Sequence, residues 1–341
     1  MLIRRIAILE LAPCADTLLE IRQDRDEGYL DARDGTISLR SGSRLRPRVM
    51  GTYAGGKATN VARVMDVLLG PEDDVQIELI VFRPDSPEGR YIAELQSAEL
   101  SRVQVRSVLV DSTARFCVNL SDPAALSSKT PVEFNISPRV IWQPPAVTTA
   151  IQVARHLQTD LLVLAGNPPV SGTGSNVLAD LPATIMAATP GPPRSTVDIG
   201  NGPLDLILGG RHPDVIKIND EEYASVDQTA WTCYSGMLVV TDSAGCNVWE
   251  KGPGGPCVRV PAANVHDVYS TVGAGDAAHA AFTLATWVWG YDPVRAARYS
   301  MAAAAAAVSN PVGTRGITRA AVDQFFEEFE RTSDRDGPLE A

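Results

Sequence analysis

Short, mostly apolar runs alternate along the chain with segments of helical periodicity. Residues 3–9, 77–82 and 161–165 are compact apolar runs, which is typical of strands buried on both faces of a parallel sheet. Between the first two runs, apolar residues in 61–69 recur at the spacing of an amphipathic helix. The alternation continues after residue 149. It predicts an α/β fold with a doubly wound, mostly parallel sheet flanked by helices.

Two segments interrupt this alternation. Residues 16–51 and 112–140 are less apolar, and stretches such as 35–40 alternate apolar and polar side chains as half-exposed strands do. We therefore expect a small β-sheet lid built from these two segments. The α/β domain would then comprise residues 1–15, 52–111 and 141–332, and the polar residues 333–341 would form a disordered tail.

The charge balance limits the class of partner. Net charge is −11, with 41 acidic and 30 basic residues. This disfavours a nucleic acid, because binding phosphate backbones needs a basic face. A phosphorylated small molecule needs only one or two cationic side chains and stays compatible with this charge. No apolar stretch of the sequence is long enough to cross a bilayer, so we expect no membrane partner.

The cysteines are scattered, and none forms a C-x-x-C pair, so their spacing predicts neither a zinc site nor a redox pair. Cysteines without a disulfide framework fit reduced thiols and a cytoplasmic location. They are Cys14, Cys117, Cys233, Cys246 and Cys257.

A first glycine motif lies at a predicted coil-to-helix junction. Gly55 and Gly56 let the backbone approach a ligand closely, and the N–H groups of a helix start attract an anion or an oxygen-rich ligand. Lys57 adds a mobile positive charge, and Asn60 offers both a donor and an acceptor. A plain glycine turn before an amphipathic helix would have the same sequence, so this motif alone does not decide the function.

A second glycine motif precedes an alanine-rich helix near the C-terminus. Backbone N–H groups at Ala274, Gly275 and Asp276, which follow Gly273, can form a nest around developing negative charge. Asp276 on the first helical turn could take a proton from a hydroxyl, or it could only cap the helix. The motif also fits G-x-G-x-x-A, but its position near the C-terminus disfavours a dinucleotide site.

Both motifs together resemble the ribokinase-like, phosphofructokinase-B family of carbohydrate kinases, closest to its 1-phosphofructokinase and tagatose-6-phosphate kinase branch. Residues 55–63 are similar to the G-G-K-G-x-N-V-A-R of that branch, and 270–276 to its second signature. The K-x-N-x-x-E segment at 217–222, the strand end at 197–200 and Asp16 fall in the family order. The resemblance covers about residues 3 to 316 and implies a ribokinase-like fold.

The resemblance implies ATP and Mg²⁺ as cofactors, and a sugar or sugar phosphate as the acceptor of the γ-phosphoryl group. Asp276 would be the general base, and Gly273, Ala274 and Gly275 would form the anion hole. Substrate-binding residues would be Asp16, Gly55, Gly56, Lys57, Asn60, Arg115 and Glu133. Nucleotide-binding residues would be Lys217, Thr241, Gly245, Gly275 and Asn310. Asn219 and Glu222 would act on the magnesium, through water. Exposed edges of the lid sheet suggest a homodimer through the lid.

The sequence departs from the family pattern mainly on the sugar side. Ala12 and Cys117 stand where the family has asparagines, and Ala165 and Asn167 stand where it has serines. A site built to hydrogen-bond one hydroxyl discriminates strongly against analogues, so these changes predict a changed acceptor.

Three functions stay open at this stage. Lys57 and Arg115 are candidate anchors for an anionic acceptor, although both are also compatible with ordinary surface charge. A nucleoside or a non-phosphorylated sugar is the alternative acceptor. A catalytically silent ligand sensor is the alternative function, and the intact Asp276, Asn219 and Glu222 argue against it. The sequence names neither the acceptor nor the hydroxyl that reacts.

Overall fold

The computed structural model of the chain describes residues 3–20, 30–33, 36–39, 48–122, 132–136, 139–173, 177–191, 193–200 and 202–336. Side chains are described throughout these ranges except at 20, 30–33, 36–39, 120–122, 132–136 and 332–336.

The strands, in chain order, are β1 (Arg5–Glu10), β2 (Cys14–Glu20), β3 (Leu30–Arg33), β4 (Thr36–Leu39), β5 (Arg48–Gly55), β6 (Gln76–Arg83), β7 (Val103–Leu109), β8 (Arg115–Asp122), β9 (Val132–Ile136), β10 (Ile141–Trp142), β11 (Leu161–Ala165), β12 (Val170–Ser171), β13 (Arg194–Asp198), β14 (Val215–Asn219), β15 (Met237–Asp242), β16 (Gly245–Trp249) and β17 (Cys257–Pro261). The α-helices are α1 (Lys57–Leu68), α2 (Pro87–Glu99), α3 (Pro144–Arg155), α4 (Leu181–Ala188), α5 (Gly202–Leu208), α6 (Asp220–Ser225), α7 (Ala274–Trp287), α8 (Pro293–Val308) and α9 (Arg319–Asp336).

The main sheet has nine strands in the order β17-β16-β15-β14-β13-β11-β1-β6-β7. From β15 to β7 all neighbours are parallel, and strand order reverses at β1, as in a doubly wound α/β fold. The predicted fold class is therefore confirmed. β16 and β17 extend the sheet beyond β15 as antiparallel strands, which the sequence analysis had not predicted.

Helices cover both faces of this sheet, which explains the continuously apolar strands. In β1, Ile6 and Ile8 belong to a core cluster with α1, α7, α8 and α9, whereas Ala7 and Leu9 belong to a second cluster with α3, α4 and α5. Successive side chains of a strand point to opposite faces, so both faces of β1 are buried. Along the described part of the chain, no helix is both long and apolar enough to cross a membrane.

A separate four-stranded sheet has the order β5-β2-β8-β9 and forms the predicted lid. β2 pairs antiparallel with β5 and parallel with β8, and β3 and β4 form a further hairpin. The lid strands extend beyond the predicted limits, because β2 begins at Cys14 and β5 ends at Gly55. Helix α9 continues to Asp336, past the predicted start of the tail at residue 333, and 337–341 lie outside the described residues.

Candidate active site

A cleft of about 920 Å³ lies between the lid and the carboxyl ends of the parallel strands. Its walls come from β2 and β8 of the lid, from the starts of α1 and α7, and from the β14–α6 junction. In open α/β sheets, ligands bind outside the carboxyl ends of the strands near the point where strand order reverses. The cleft therefore lies where a fold of this class binds ligands, and polar side chains from several elements line it.

The start of α7 forms the floor of the cleft. Gly273 is the N-cap residue with φ 83°, and a Cβ there would come within 2.7 Å of Thr314 Cγ2, so both backbone and space favour glycine. The first-turn N–H groups of Gly275 and Asp276 have no acceptor within the helix. The N–H of Ala274 donates to the Thr271 carbonyl at 3.2 Å, so the anion nest rests on the other two amides.

Asp276 is buried in this first turn, with 6% of its surface exposed. Its Oδ2 accepts a hydrogen bond of 2.7 Å from Asn60 Nδ2. Burial raises the pKa of Asp276 to about 7, although the positive charge of Lys57 opposes the shift. A carboxyl group with this pKa can exchange a proton near neutral pH, which suits a general base.

Asn60 is fixed by its own partners. Its Oδ1 accepts hydrogen bonds from Arg63 Nη1 at 2.6 Å and from Thr314 Oγ1 at 3.4 Å. The carbonyl oxygen of the amide therefore faces these donors, and the amide nitrogen faces Asp276. Arg63 also binds Glu99 at 2.6 Å, which locks the first turns of α1 against α2. This chain of contacts positions the buried carboxylate.

Two lysines meet at one buried carboxylate beside Asp276. Asp198, at the end of β13, binds Lys57 Nζ at 2.9 Å and Lys217 Nζ at 3.1 Å. Burial alone would raise the pKa of Asp198, but the charges of Lys217 and Lys57 outweigh it and hold that pKa well below its usual range. A Cβ on Gly275 would lie 2.9 Å from Lys217 Nζ, so glycine keeps this lysine beside the α7 amides.

The β14–α6 junction carries the two residues predicted to act on magnesium. Asn219 Oδ1 accepts from the Glu222 N–H at 2.7 Å, and Glu222 Oε2 accepts from the Asn219 N–H at 3.0 Å, which is a capping box. Glu222 Oε1 lies 3.7 Å from Lys57 Nζ. Asp220 and Glu221 also line the cleft. This all-oxygen donor set fits Mg²⁺, an ion that retains several waters when proteins bind it.

Asp16 lies at the opposite, lid end of the cleft. Arg315 Nη2 binds its Oδ2 at 3.1 Å, and Cys14 Sγ donates to its Oδ1 at 3.2 Å. A Cβ on Gly55 would overlap the Asp16 carboxylate, which explains that glycine. The Arg315 guanidinium also stacks 4.6 Å from the centroid of the Tyr53 ring. The sequence analysis had assigned no role to Arg315.

Lid strand β8 contributes two more polar side chains to the cleft. Arg115 Nη2 donates to Cys14 Sγ at 3.3 Å, and its Nε has no partner among the described residues. Asn119 lies two positions beyond Cys117 on the same face, and its Oδ1 is likewise without a described partner. Sequence reasoning had missed Asn119, although its alternation with Arg115 and Cys117 along a half-exposed strand was a usable signal.

The turn before α1 depends on Glu10, which was also missed. Its Oε2 accepts from Thr59 N at 2.9 Å and Thr59 Oγ1 at 3.1 Å, and its Oε1 accepts from Ala12 N at 3.2 Å. Gly56, with φ 107°, leaves the space that this carboxylate fills. Burial raises the pKa of Glu10, and these donors oppose the shift. Glu10 therefore joins the end of β1 to the start of α1.

The cleft brings together most of the predicted site residues. Those that line it are Asp16, Gly56, Lys57, Asn60, Arg115, Lys217, Asn219, Glu222, Thr241, Gly273, Ala274, Gly275 and Asp276. Gly55 does not line the cleft, but it leaves the space that the Asp16 carboxylate occupies. Thr241 Oγ1 donates to the Ile218 carbonyl at 3.2 Å.

Three predicted residues lie elsewhere or outside the description. Gly245 does not line the cleft; it starts β16, where a Cβ would overlap the Val260 carbonyl. Asn310 also lies off the cleft, and its side chain holds its own loop by bonds to Gly316 O at 2.9 Å and Val312 N at 3.1 Å. Glu133 pairs with Ser121 across β9 and β8, and its side chain is outside the described residues.

Comparison with protein families bears on this geometry. Residues 210–318 match the family model described as pfkB family carbohydrate kinase. The matched stretch includes Lys217, the capping box and the start of α7 with Asp276. Over residues 210–318 the chain is therefore similar to a pfkB family carbohydrate kinase domain. The family resemblance inferred from the motifs is thus confirmed.

Solved structures share the fold of nearly the whole chain. Phosphofructokinase-2 from Escherichia coli, in complex with substrates and products, is 20% identical with a TM-score of 0.73, covering 96% of this chain and 100% of that chain. A possible 1-phosphofructokinase from Thermotoga maritima is 16% identical with a TM-score of 0.71, covering 95% and 98%. Ribokinase from Thermotoga maritima is 13% identical with a TM-score of 0.62, covering 96% and 100%. No curated protein matches the sequence.

The raised pKa of Asp276 predicts a pH-dependent cost in stability. The folded state binds its proton more tightly than the unfolded state does, so wild-type stability falls as pH rises from about 4 through about 7. Asn at this position cannot ionise. The Tm of Asp276→Asn minus that of wild type should therefore increase between pH 4 and pH 8, as followed by thermal unfolding. Asp85→Asn, at an exposed position, is the control, and a difference for Asp276→Asn that does not change with pH would contradict the assignment.

Proposed function

We propose that the chain is an ATP- and Mg²⁺-dependent kinase that transfers the γ-phosphoryl group to a hydroxyl of a sugar or sugar phosphate. The observation that carries the proposal is Asp276, a buried carboxylate in the cleft whose pKa is about 7, in the first turn of α7. The pfkB family match over residues 210–318 and the similarity to phosphofructokinase structures support the same class of reaction.

Asp276 acts on the acceptor. Asn60 binds Oδ2, so Oδ1 is the oxygen that takes the hydroxyl proton. As the proton leaves, the hydroxyl oxygen bonds to the γ-phosphorus and the bond to the β-phosphate oxygen breaks, which releases ADP. Asp276 then returns the proton to solvent. General-base catalysis of this kind contributes about 10²–10⁴-fold to the rate.

The α7 amides and Lys217 act on the phosphoryl group. Phosphoryl transfer needs mainly positioning and neutralisation of charge on the transferring oxygens. The N–H groups of Gly275 and Asp276 point from a helix start, and Lys217 is held beside them by Asp198. Asn219 and Glu222 would hold magnesium through water at the neighbouring junction. That ion would supply further neutralisation of phosphate charge.

The acceptor end of the cleft favours an anion. The chain carries a net charge of −11, yet Arg115 lies at Cys14, Arg315 at Asp16 and Lys57 at Asp198. The Nε of Arg115 has no partner among the described residues and can still donate. Lys57 Nζ lies 2.9 Å from Asp198 and 3.7 Å from Glu222. Asp16 would accept a hydrogen bond from an acceptor hydroxyl. These features support a sugar phosphate over a neutral sugar or a nucleoside.

A coupled assay of ADP release against sugars and sugar phosphates, with Mg²⁺ and ATP, tests the proposal. We expect at least one acceptor to be phosphorylated. kcat/KM should rise with pH with an apparent pKa near 7, because only the ionised Asp276 accepts a proton. Asp276→Asn should lower kcat by about 10²–10⁴-fold. ADP binding without turnover on any acceptor would refute the kinase assignment, and near-normal turnover in the variant would remove Asp276 from the role of general base.

Arg115 should distinguish anionic from neutral acceptors. Hydrogen bonds to charged groups are worth about 1.5–3 kcal/mol, so Arg115→Met should raise KM for a sugar phosphate by about 10–100-fold. KM for ATP should change little. Arg90→Met, which removes an arginine that is 54% exposed, is the matched control. An equal loss on sugar phosphates and on the neutral sugars would show that Arg115 does not bind the acceptor's anionic group.

A further inference from the structure

Four polar side chains form a square on the cleft-facing side of the lid. β2 and β8 run parallel, with Cys14 opposite Arg115 and Asp16 opposite Cys117. Because alternate residues of a strand share a face, all four side chains project from the same side. All four line the cleft. The lid therefore places two thiols and a carboxylate together, although the cysteines are far apart in sequence.

The distances within this square are short. Cys14 Sγ lies 3.2 Å from Asp16 Oδ1, and the ligand atoms of Cys14, Asp16 and Cys117 all lie within 4.8 Å of one another. Ligands at about 2.0–2.3 Å from one tetrahedral ion are about 3.3–3.8 Å apart. The three atoms thus need to move by about an ångström at most to surround one ion. All three residues are buried.

We propose that Cys14, Cys117 and Asp16 form a binding site for a thiophilic divalent cation such as Zn²⁺ at the lid end of the cleft. Thiolates select soft and borderline metals, whereas the hard Mg²⁺ prefers the oxygen donors at the β14–α6 junction. Three protein ligands leave a fourth position toward the cleft, the arrangement found in open zinc sites. The sequence spacing had predicted no zinc site, because the ligands come from two strands that only the fold brings together.

A disulfide explains the cysteine pair less well. Cys14 and Cys117 are diagonal neighbours, offset by two residues on adjacent strands. Strands lie about 4.8 Å apart and rise about 3.3 Å per residue, which places their Cα atoms about 8 Å apart. Cα atoms more than about 7 Å apart cannot be bridged without backbone movement. A metal ion, which spans longer distances than an S–S bond, fits this offset.

The charges around the square also fit a divalent ion. Two thiolates and one carboxylate bring three negative charges, and the ion with the Arg115 guanidinium brings three positive ones. Arg115 Nη2 already donates to Cys14 Sγ, a contact that a metal-bound thiolate would retain. Arg315 pairs with the second oxygen of Asp16 and leaves Oδ1 for the ion.

Metal binding must displace the thiol protons. A hydrogen bond between Cys14 and Cys117, burial and the charge of Asp16 raise the pKa of Cys14, against the opposing charge of Arg115. Two protons would leave to solvent for each ion bound, so the affinity should increase as pH rises. The charged groups facing the thiols are Asp16, Arg115 and, behind them, Glu10 and Arg315.

A bound ion would compete with the acceptor. Asp16 is a proposed acceptor ligand, so an ion on its Oδ1 would exclude the acceptor hydroxyl from the same oxygen. This consequence rests on the proposed function, whereas metal binding itself does not.

Titration of the reduced, full-length protein with Cd²⁺ in the absence of nucleotide tests the site. A thiolate-to-metal charge-transfer band should saturate at one ion per chain and strengthen with pH. Cys14→Ser and Cys117→Ser, made separately and checked for folding by their Tm, should each weaken Cd²⁺ binding by at least about 10–100-fold, since even second-shell changes have effects of that size. Zn²⁺ should displace the Cd²⁺ band.

Cys233→Ser and Cys257→Ser are the matched controls, because these cysteines lie off the cleft, and they should leave the band unchanged. The proposal is overturned if no band forms or if only the control variants remove it. It is also overturned if Cd²⁺ leaves the thiols of Cys14 and Cys117 unchanged and only oxidation removes them, in a way that a reductant reverses.

In a separate arm, Zn²⁺ should inhibit turnover competitively with the acceptor in wild type and much less in Cys117→Ser. Cd²⁺ binding without such inhibition would keep the metal site and remove its link to the acceptor.

Discussion

Burial of the Asp276 carboxylate at the first turn of α7 is the constraint on which the site depends. A carboxylate taken out of water is costly unless it is compensated, and here Asn60 and the charge of Lys57 compensate it only in part. The remaining cost appears as a raised pKa. The surrounding contacts, from Glu99 through Arg63 to Asn60, fix one geometry for a group that would otherwise turn toward solvent. Burial therefore both fixes the position of the Asp276 carboxyl group and raises its pKa.

The cations of the cleft are kept in place by carboxylates that are themselves buried. Asp198 holds Lys57 and Lys217 on the α7 side, and Asp16 holds Arg315 on the lid side. This arrangement lets an acidic protein present positive charge at one place. It also divides the cleft into an end at α6 and α7 with oxygen donors and a lid end with sulfur donors, which suit different metal ions.

Local pattern predicted the elements that local physics determines. The run 161–165 is a strand because it is apolar on both faces, and Gly273 and Gly275 marked the helix start that carries Asp276. The missed residues depend on distant partners. Arg315 meets Asp16 from 299 positions away, and no periodicity encodes that pairing. The proximity of Cys14 and Cys117 was missed for the same reason, since the parallel pairing of β2 with β8 brings together residues that are far apart in sequence.

The central claim is that Asp276 is a buried carboxyl group that titrates near neutral pH. Side-chain carboxyl NMR of protein labelled with ¹³C at aspartate, with Asp276→Asn used to assign the resonance, measures this directly. The account predicts a titration midpoint of about 7 for the unliganded protein. A midpoint near the ordinary aspartate value of about 3.9 would show that the group is solvated, and the base assignment would fail.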